Sequence, residues 1–208
     1  MPDDGWRCFR FADYGSPLRV VPARRPLRYS RGDEAEPTQY LALHPLGPLA
    51  ELARANHLRR GDQLAMVYAR LWALRIERGD VVEVSFESAA GFEIDPADLV
   101  SDDYTACQAL ATRLRREVPG IVVPSAALPG TRNLVLFGAR VAVGYDAEII
   151  DSAVDAAASM TSARGRAPLA LTDAVCYRGD AHRGFAAFDR GDRFVVEDEA
   201  LWTWPEPE

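Results

Sequence analysis

The pattern of apolar and polar positions predicts a chain in which short strands and a few helices follow one another. The clearest helix covers 104–118, where apolar residues recur at helical spacing and form one stripe. A second helix is predicted over 45–58, because the prolines at its start are tolerated in a first helical turn. Strands are predicted at 38–43, 81–86, 121–125, 133–137 and 140–143, with one or two more within 6–22.

One run, 64–76, fits two patterns. Leu64 and Leu71 match a helical period, whereas Met66 and Tyr68 match the alternation of a strand. We interpret the run as a strand, because a second strand follows it after a short turn.

The last third of the chain is less regular. Residues 146–163 are rich in alanine and weakly helical in pattern, and 164–172 have the composition of a linker or loop. Several Arg-Gly pairs between Cys176 and Trp204 favour a small β-rich appendage. We therefore predict one domain over 1–145 and a C-terminal extension, 146–208, packed on the same domain. The pattern alone leaves the fold class open between α+β and α/β.

Composition matters mainly for the chemistry that it excludes. All 24 basic residues among the 208 are arginine, so neither a Schiff-base lysine nor a lysine-containing phosphate loop exists in this chain. A phosphate held by a side chain must be held by arginine, whose planar fork suits bidentate binding. The net charge of −7 disfavours nucleic acid as a partner.

The sequence also bears on location and on metals. It has no apolar run long enough to span a bilayer and no secretory signal at its start, so no membrane association is predicted. Three cysteines, odd in number and far apart, favour a reducing compartment, and we expect a cytoplasmic protein. The three histidines lack the spacing of metal ligands, so no metal site is predicted.

A strand-to-helix corner and an arginine-rich loop carry the first candidate residues. Tyr40 lies on the strand and Glu51 about one turn into the helix, although taken alone Tyr40 is better explained by packing and Glu51 by solvation. The loop at 23–36 is either a solvated surface or a phosphate-binding segment led by Arg28 or Arg31. Later in the chain, a serine that ends the strand at 121–125 lacks the glycine-x-serine-x-glycine of a nucleophile elbow.

Several segments, in this order, resemble the RES domain, a family named for its arginine, glutamate and serine. The first group is LRYSR at 27–31, PTQYLALHPLGP at 37–48 and the Ala-Glu pair at 50–51. The second group is GIVVPSAA at 120–127 and NLVLFG at 133–138. The resemblance extends over roughly residues 6–143.

The resemblance implies an α+β fold similar to mono-ADP-ribosyltransferases, with a mixed β-sheet core and flanking helices. It implies NAD as the substrate, with no further cofactor, and cleavage of the nicotinamide–ribose bond by water or phosphate. Family members are commonly toxins of bacterial toxin–antitoxin pairs, whose helix-turn-helix antitoxin blocks the pocket. Transfer of ADP-ribose to a protein and a non-catalytic NAD- or antitoxin-binding domain are the alternatives. A homo-oligomer is open as well, because the apolar tail at 200–204 suits either packing within the chain or an interface.

Carried over residue by residue, the resemblance assigns five positions. The family arginine falls on Arg28, with Arg31 as its competitor, and would hold the pyrophosphate of NAD. Tyr40 would stack on nicotinamide. Glu51 would stabilise the positive charge that spreads onto ribose as nicotinamide leaves, and Ser125 would fix the carboxamide or a ribose.

Overall fold

The computed structural model describes residues 5–11, 23–77, 80–138 and 160–196. Its strands are β1 (Gly5–Phe11), β2 (Thr38–Ala42), β3 (Tyr68–Glu77), β4 (Val82–Glu83), β5 (Gly120–Pro124), β6 (Arg132–Phe137) and β7 (Met160–Arg166). Its helices are α1 (Gly47–Ala55), α2 (Gly61–Ala65), α3 (Thr105–Leu114), α4 (Leu171–Ala174) and α5 (Arg183–Asp189), with 3-10 turns at Ala89–Phe92 and Pro96–Leu99. No helix in this part of the chain is long and apolar enough to cross a membrane.

The described strands form one mixed sheet in the order β4-β5-β6-β2-β1-β3-β7. Only the pairing of β4 with β5 is parallel among them; the other neighbours are antiparallel. Helices lie between the strands along the chain and pack on the sheet. The α+β class with a mixed sheet and flanking helices is therefore confirmed.

Alternation along β5 and β6 places apolar side chains on both faces of the sheet. Ile121 and Val123 pack with the apolar stripe of α3, whereas Val122 packs on the opposite face with β1 and β3. Because both faces are covered there, these two strands are continuous apolar runs in the sequence. A separate cluster joins α1 and α2 to α4 and to residues 127–128.

The corner between β2 and α1 is tight because of a glycine. A Cβ built on Gly47 would lie 2.5 Å from the Cβ of Ala42, closer than two non-bonded carbon atoms can approach. Pro48 follows in the first turn, where its missing N–H removes no hydrogen bond. Leu49, Ala50 and Ala53 are buried, and they hold the helix against the protein.

The structure confirms the elements with the clearest patterns and corrects others. The predictions for β2, α1, α3, β5 and β6 are confirmed within a few residues at each end. The run 64–76 splits instead into the end of α2 followed by β3, so both of its patterns were partly right. The predicted strand at 81–86 is two residues long, because the backbone N–H of Ser85 bonds to the hydroxyl of Ser88 and turns the chain.

The C-terminal part differs most from the sequence-based prediction. Residues 160–163 belong to β7 rather than to a weak helix, and the predicted loop at 164–172 contains the end of β7 and the start of α4. The described part of the appendage, 176–196, contains one helix, α5, and no strand, so the β-rich prediction is wrong for these residues. The predicted strand at 140–143 and the apolar tail at 200–204 lie outside the described residues, as do 12–22 and 146–159.

Candidate active site

The candidate site lies at the edge of the sheet where β2 and β5 end and β6 begins. Both strands run antiparallel to β6, with Ala42 of β2 and Val123 of β5 opposite Asn133. Helix α1, which carries Glu51, follows β2, and the loop that starts at Ser125 follows β5. This register brings groups that are far apart in the sequence to one edge of the sheet.

Glu51 is half-buried at this edge, in a polar cluster with Asn133, Arg28 and Arg54 that we call the recess. One of its carboxylate oxygens, Oε1, accepts a hydrogen bond from the side-chain amide of Asn133 at 3.1 Å. Burial raises the pKa of Glu51 above its ordinary value, and the charge of Arg28, the Asn133 bond and the charge of Arg54 oppose that shift. A half-buried carboxylate is screened less by water than an exposed one, so it interacts more strongly with a positive charge that develops nearby.

Arg28 lies close enough to Glu51 for its charge to lower the pKa of that carboxyl. Its Nη1 donates to the carbonyl oxygens of Leu99 at 3.3 Å and Ser101 at 2.6 Å. Its guanidinium carbon lies 4.7 Å from the centre of the Tyr104 ring. These contacts orient a partly exposed guanidinium on one side of the recess.

The contacts of Arg31, the competing arginine, differ from those of Arg28. Its side chain is exposed and, among the described residues, pairs with Asp33 at 3.7 Å. Its backbone N–H donates to the Glu34 carboxylate at 2.7 Å, so the residue is anchored by its main chain. The charge of Arg31 does not contribute to the pKa of Glu51, whereas that of Arg28 does.

Tyr40 uses its hydroxyl to hold the arginine-bearing loop. The oxygen accepts the backbone N–H of Tyr29 at 3.0 Å, next to Arg28 in the chain. The half-buried ring packs against the apolar cluster under α3, and burial raises the pKa of Tyr40. Stacking on nicotinamide stays a prediction; the contact that is present places the loop.

Ser125 is fully buried, with 0% of its surface exposed. Its hydroxyl oxygen accepts the backbone N–H of Leu128 at 3.1 Å, and its own N–H donates to the carbonyl of Thr131 at 2.9 Å. The side chain therefore organises the turn that follows β5. A direct contact with a ligand stays a prediction, because the hydroxyl has no exposed surface in this structure.

A buried arginine that the sequence analysis did not select lies three residues after Glu51. Arg54 is 5% exposed and donates to the Asp102 carboxylate at 2.6 Å. It also donates to the carbonyl oxygen of Cys176. Arg54 thus joins α1 to the loop before α3 and to the C-terminal part of the chain, while its charge lowers the pKa of Glu51.

A histidine from the C-terminal part also reaches the site. His182 Nδ1 accepts the backbone N–H of Phe185 at 3.0 Å, so its Nε2–H is the donor to the carbonyl oxygen of Ser125, also at 3.0 Å. Burial, together with the charges of Arg54 and Arg28, lowers the pKa of His182 to about 4. The ring is therefore neutral at neutral pH.

Comparison with known proteins identifies the family. The model of the RES domain matches residues 5–159, most of the chain. The chain belongs to the RES domain family. The family resemblance drawn from the sequence motifs is confirmed.

Two relatives of this RES domain protein are informative. It is 34% identical over 118 residues to a probable NAD(+) phosphorylase of Mycobacterium tuberculosis, a match that covers 56% of this chain and 55% of the relative. The chain thus matches only about half the length of that relative. It also resembles the crystal structure of the MbcT–MbcA toxin–antitoxin complex of M. tuberculosis, with a TM-score of 0.55, 19% identity, and coverage of 65% of this chain and 75% of that one. This second likeness supports the fold, which is similar to that of mono-ADP-ribosyltransferases.

The RES site contains three residues that sequence reasoning missed. Asn133 begins a strand motif that we had matched to the family, and its place opposite the ends of β2 and β5 was the available signal. Arg54 and His182 carried no signal, because nothing in a helical arginine or an isolated histidine indicates burial. Within the described residues, no cluster of three histidine, cysteine, aspartate or glutamate side chains could hold a metal ion.

Proposed function

We propose that this RES domain protein cleaves the bond between nicotinamide and ribose in NAD. The observation that carries the proposal is the Glu51 carboxylate, which lies in a recess with Asn133 on one oxygen and the charge of Arg28 nearby. Family membership and the name of the curated relative support the same substrate.

The reaction requires a negatively charged carboxylate rather than a proton-donating acid. Nicotinamide leaves as a neutral molecule from a cationic ring, so the leaving group needs no proton. Positive charge spreads onto the ribose instead, and Glu51 would stabilise it. At about 4 Å and an effective dielectric near 20, such an attraction amounts to about 4 kcal/mol before desolvation is subtracted.

Arg28 would hold the pyrophosphate of NAD, and Arg31 is the weaker candidate because its side chain faces solvent beside Asp33. Tyr40 would offer the exposed part of its ring to nicotinamide while its hydroxyl keeps the loop in place. Ser125 would act by positioning the turn after β5, since its hydroxyl already accepts the N–H of Leu128.

Phosphorolysis is the form of the reaction that we favour, on the strength of the relative named a probable NAD(+) phosphorylase. An oxygen of inorganic phosphate would bond to C1 of the ribose as the bond to nicotinamide breaks, which gives ADP-ribose 1″-phosphate and nicotinamide. Water in the same place would give ADP-ribose, nicotinamide and a proton. Both reactions use NAD as a substrate and need no other cofactor.

The decisive experiment incubates the purified chain with NAD, with and without inorganic phosphate, and identifies the products by mass spectrometry. We expect ADP-ribose 1″-phosphate when phosphate is present. Glu51→Gln should lower the turnover about a hundredfold or more, as the loss of one preorganised electrostatic group commonly does. Intact NAD after incubation with the wild-type protein would refute the proposal, and label on the protein itself would favour ADP-ribosyl transfer.

We also propose a toxin role, with an antitoxin as the protein partner. The support is the fold shared with a toxin–antitoxin complex. A helix-turn-helix antitoxin and a homo-oligomer remain finer expectations of the family resemblance. The cytoplasm is the proposed location, because Cys8, Cys107 and Cys176 are free and buried, as suits a reducing compartment.

A further inference from the structure

The ring of Tyr104 contacts two guanidinium groups. The guanidinium carbon of Arg28 is 4.7 Å from the centre of the ring, and that of Arg178 is 5.9 Å from it. Arg178 Nη2 also donates to the Tyr104 hydroxyl at 3.0 Å. Two positive charges from distant parts of the chain are therefore held within 6 Å of one aromatic centre.

Carbonyl and phenol oxygens, rather than carboxylates, orient these two arginines. Arg28 donates to carbonyl oxygens, and Arg178 donates to a phenol oxygen. In the described parts of the chain, no carboxylate forms an ion pair with Arg28 or Arg178, although many other arginines have such a partner. The charge of Glu51 interacts with Arg28 without a close ion pair, so the two guanidinium groups around Tyr104 favour an anionic ligand.

The turn that carries Arg178 is anchored from several sides. Asp102 accepts the backbone N–H of Gly179 at 2.8 Å with one carboxylate oxygen and binds Arg54 with the other. The Tyr177 hydroxyl donates to the carbonyl of Leu58 at 2.6 Å. Gly179 has a φ of +85°, which allows the sharp turn. Because the main chain is fixed on both sides of Arg178, little of its backbone freedom is lost on binding.

This turn is linked through Asp102 to the helix that carries Glu51. Asp102 binds Arg54, three residues after Glu51 on α1, and Arg28 lowers the pKa of Glu51 through its charge. Arg178 lies outside residues 5–159, the part of the chain that matches the RES family. The C-terminal part thus adds a cation beside a site that otherwise belongs to the matched region.

We propose that Arg28 and Arg178 together bind a phosphate group beside Glu51, with Arg178 supplied by the C-terminal part of the chain. The proposal rests on the proposed function, because its ligand is either the pyrophosphate of NAD or the inorganic phosphate that attacks the ribose. Both sources offer the oxygens that a guanidinium fork binds. Tyr104 orients both guanidinium groups, because its ring contacts each of them and its hydroxyl accepts a hydrogen bond from Arg178.

The test compares the full-length chain with Arg178→Gln, Arg178→Lys and a matched control, Arg116→Gln. Arg116 is an exposed arginine just after α3. The measurements are kcat and the KM values for NAD and for inorganic phosphate, together with calorimetric titration by ADP-ribose and by inorganic phosphate. Arg178→Gln should raise the KM of one phosphate source about tenfold or more, in line with the loss of charge-assisted hydrogen bonds. Arg178→Lys should recover part of the loss, and Arg116→Gln should match the wild type.

The pattern of results identifies the source of the phosphate. A higher KM for NAD with weaker ADP-ribose binding assigns Arg178 to the pyrophosphate, and a higher KM for inorganic phosphate alone assigns it to the attacking group. Unchanged KM values and affinities in Arg178→Gln overturn the inference, even if wild-type turnover of NAD supports the function. A lower kcat and unfolding temperature with unchanged KM values also overturn it, because a purely structural turn would give that result. If ADP-ribose binding depends on Arg178 but the wild-type chain does not cleave NAD, the proposed NAD cleavage is refuted and the phosphate site of Arg28 and Arg178 is supported.

Discussion

At the scale of single residues, the site depends on how Glu51 is kept ionised inside the protein. Burial disfavours its charged form, while Arg28, Asn133 and Arg54 favour it. Burial outweighs them, so the pKa of Glu51 lies above its ordinary value of 4.5. The carboxylate therefore takes up its proton earlier on acidification than an exposed glutamate would.

This balance predicts the pH dependence of NAD cleavage. The acid limb of kcat/KM, which reports the free enzyme, should have its midpoint above 4.5, the ordinary value for glutamate. Asn133→Ala removes a hydrogen bond that favours the carboxylate, so the midpoint should move to higher pH. The measurement is the pH–rate profile of each variant.

Asn56→Ala is the control for this prediction, because the side chain of Asn56 at the end of α1 forms an exposed hydrogen bond to the carbonyl of Leu52 in the same helix. Its profile should follow that of the wild type. An acid limb that stays in place in Asn133→Ala would show that the hydrogen bond to Glu51 does not tune the reaction.

The sequence identified some of these site residues, but it could not decide between Arg28 and Arg31 as the phosphate-binding arginine. Glu51 follows from the strand-to-helix corner and the family motif. Arg28 and Arg31 are three positions apart in an irregular loop, where no periodicity tells which side chain faces inward, so only the carbonyl contacts of Arg28 separate them. For Ser125 the motif was clear, but its burial depends on the turn to Thr131 rather than on the strand that precedes it.

At the scale of secondary structure elements, the direction of α1 is set by the tight corner after β2. Gly47 allows the helix to begin against Ala42, and that start brings Glu51 and Arg54 to the edge of the sheet. A wider corner would move both side chains relative to Asn133 on β6. The element that matters most for the site is thus positioned by a close backbone approach.

We predict that Gly47→Ala destabilises the protein despite the higher helix propensity of alanine. The added Cβ would lie 2.5 Å from the Cβ of Ala42, so the helix or the strand must move. The expected loss is about 1–3 kcal/mol in the free energy of unfolding, measured by urea denaturation, with a fall in NAD turnover.

A second glycine provides the control for this substitution. A Cβ on Gly91 would meet nothing within 4 Å, so Gly91→Ala should change the stability by less than about 0.5 kcal/mol. Ala42→Gly combined with Gly47→Ala should recover part of the loss, because it removes the other methyl group. Equal stabilities of Gly47→Ala and the wild type would mean that the corner can widen at no cost.

Elements with strong periodicity were predictable, and those shaped by tertiary contacts were not. The stripe on α3 and the apolar runs of β5 and β6 follow from burial on the sheet. The Arg-Gly pairs of the C-terminal part suggested a β-rich appendage. Gly179 instead lies in a turn whose backbone N–H donates to the Asp102 carboxylate. Helix α5 begins at a cap formed by His182, a residue type without a strong preference for that position.

At the scale of the whole molecule, the C-terminal part is joined to the RES-matched region by buried polar contacts. Tyr177 bonds to Leu58, the carbonyl of Cys176 accepts from Arg54, and His182 donates to the carbonyl of Ser125. Leu171 and Val175 pack in the same cluster as α1. These contacts support our proposal that 146–208 is an extension packed on the domain at 1–145.

The His182 contact predicts how the stability of the whole chain depends on pH. Its pKa is about 4 in the folded protein and near its ordinary value of 6.5 after unfolding, so the unfolded chain binds the extra proton first as the pH falls. Stability should therefore fall between about pH 6.5 and pH 4, with a contribution from this group of up to about 1.4 kcal/mol per pH unit. His182→Asn keeps an acceptor for the N–H of Phe185 and cannot be protonated, so its stability should fall less steeply in this range. Urea denaturation of both proteins at several pH values measures the difference, and the carboxylates common to both cancel in it. Parallel curves would mean that His182 is protonated as readily in the folded protein as in the unfolded chain, and that its buried bond to Ser125 does not hold the C-terminal part in place.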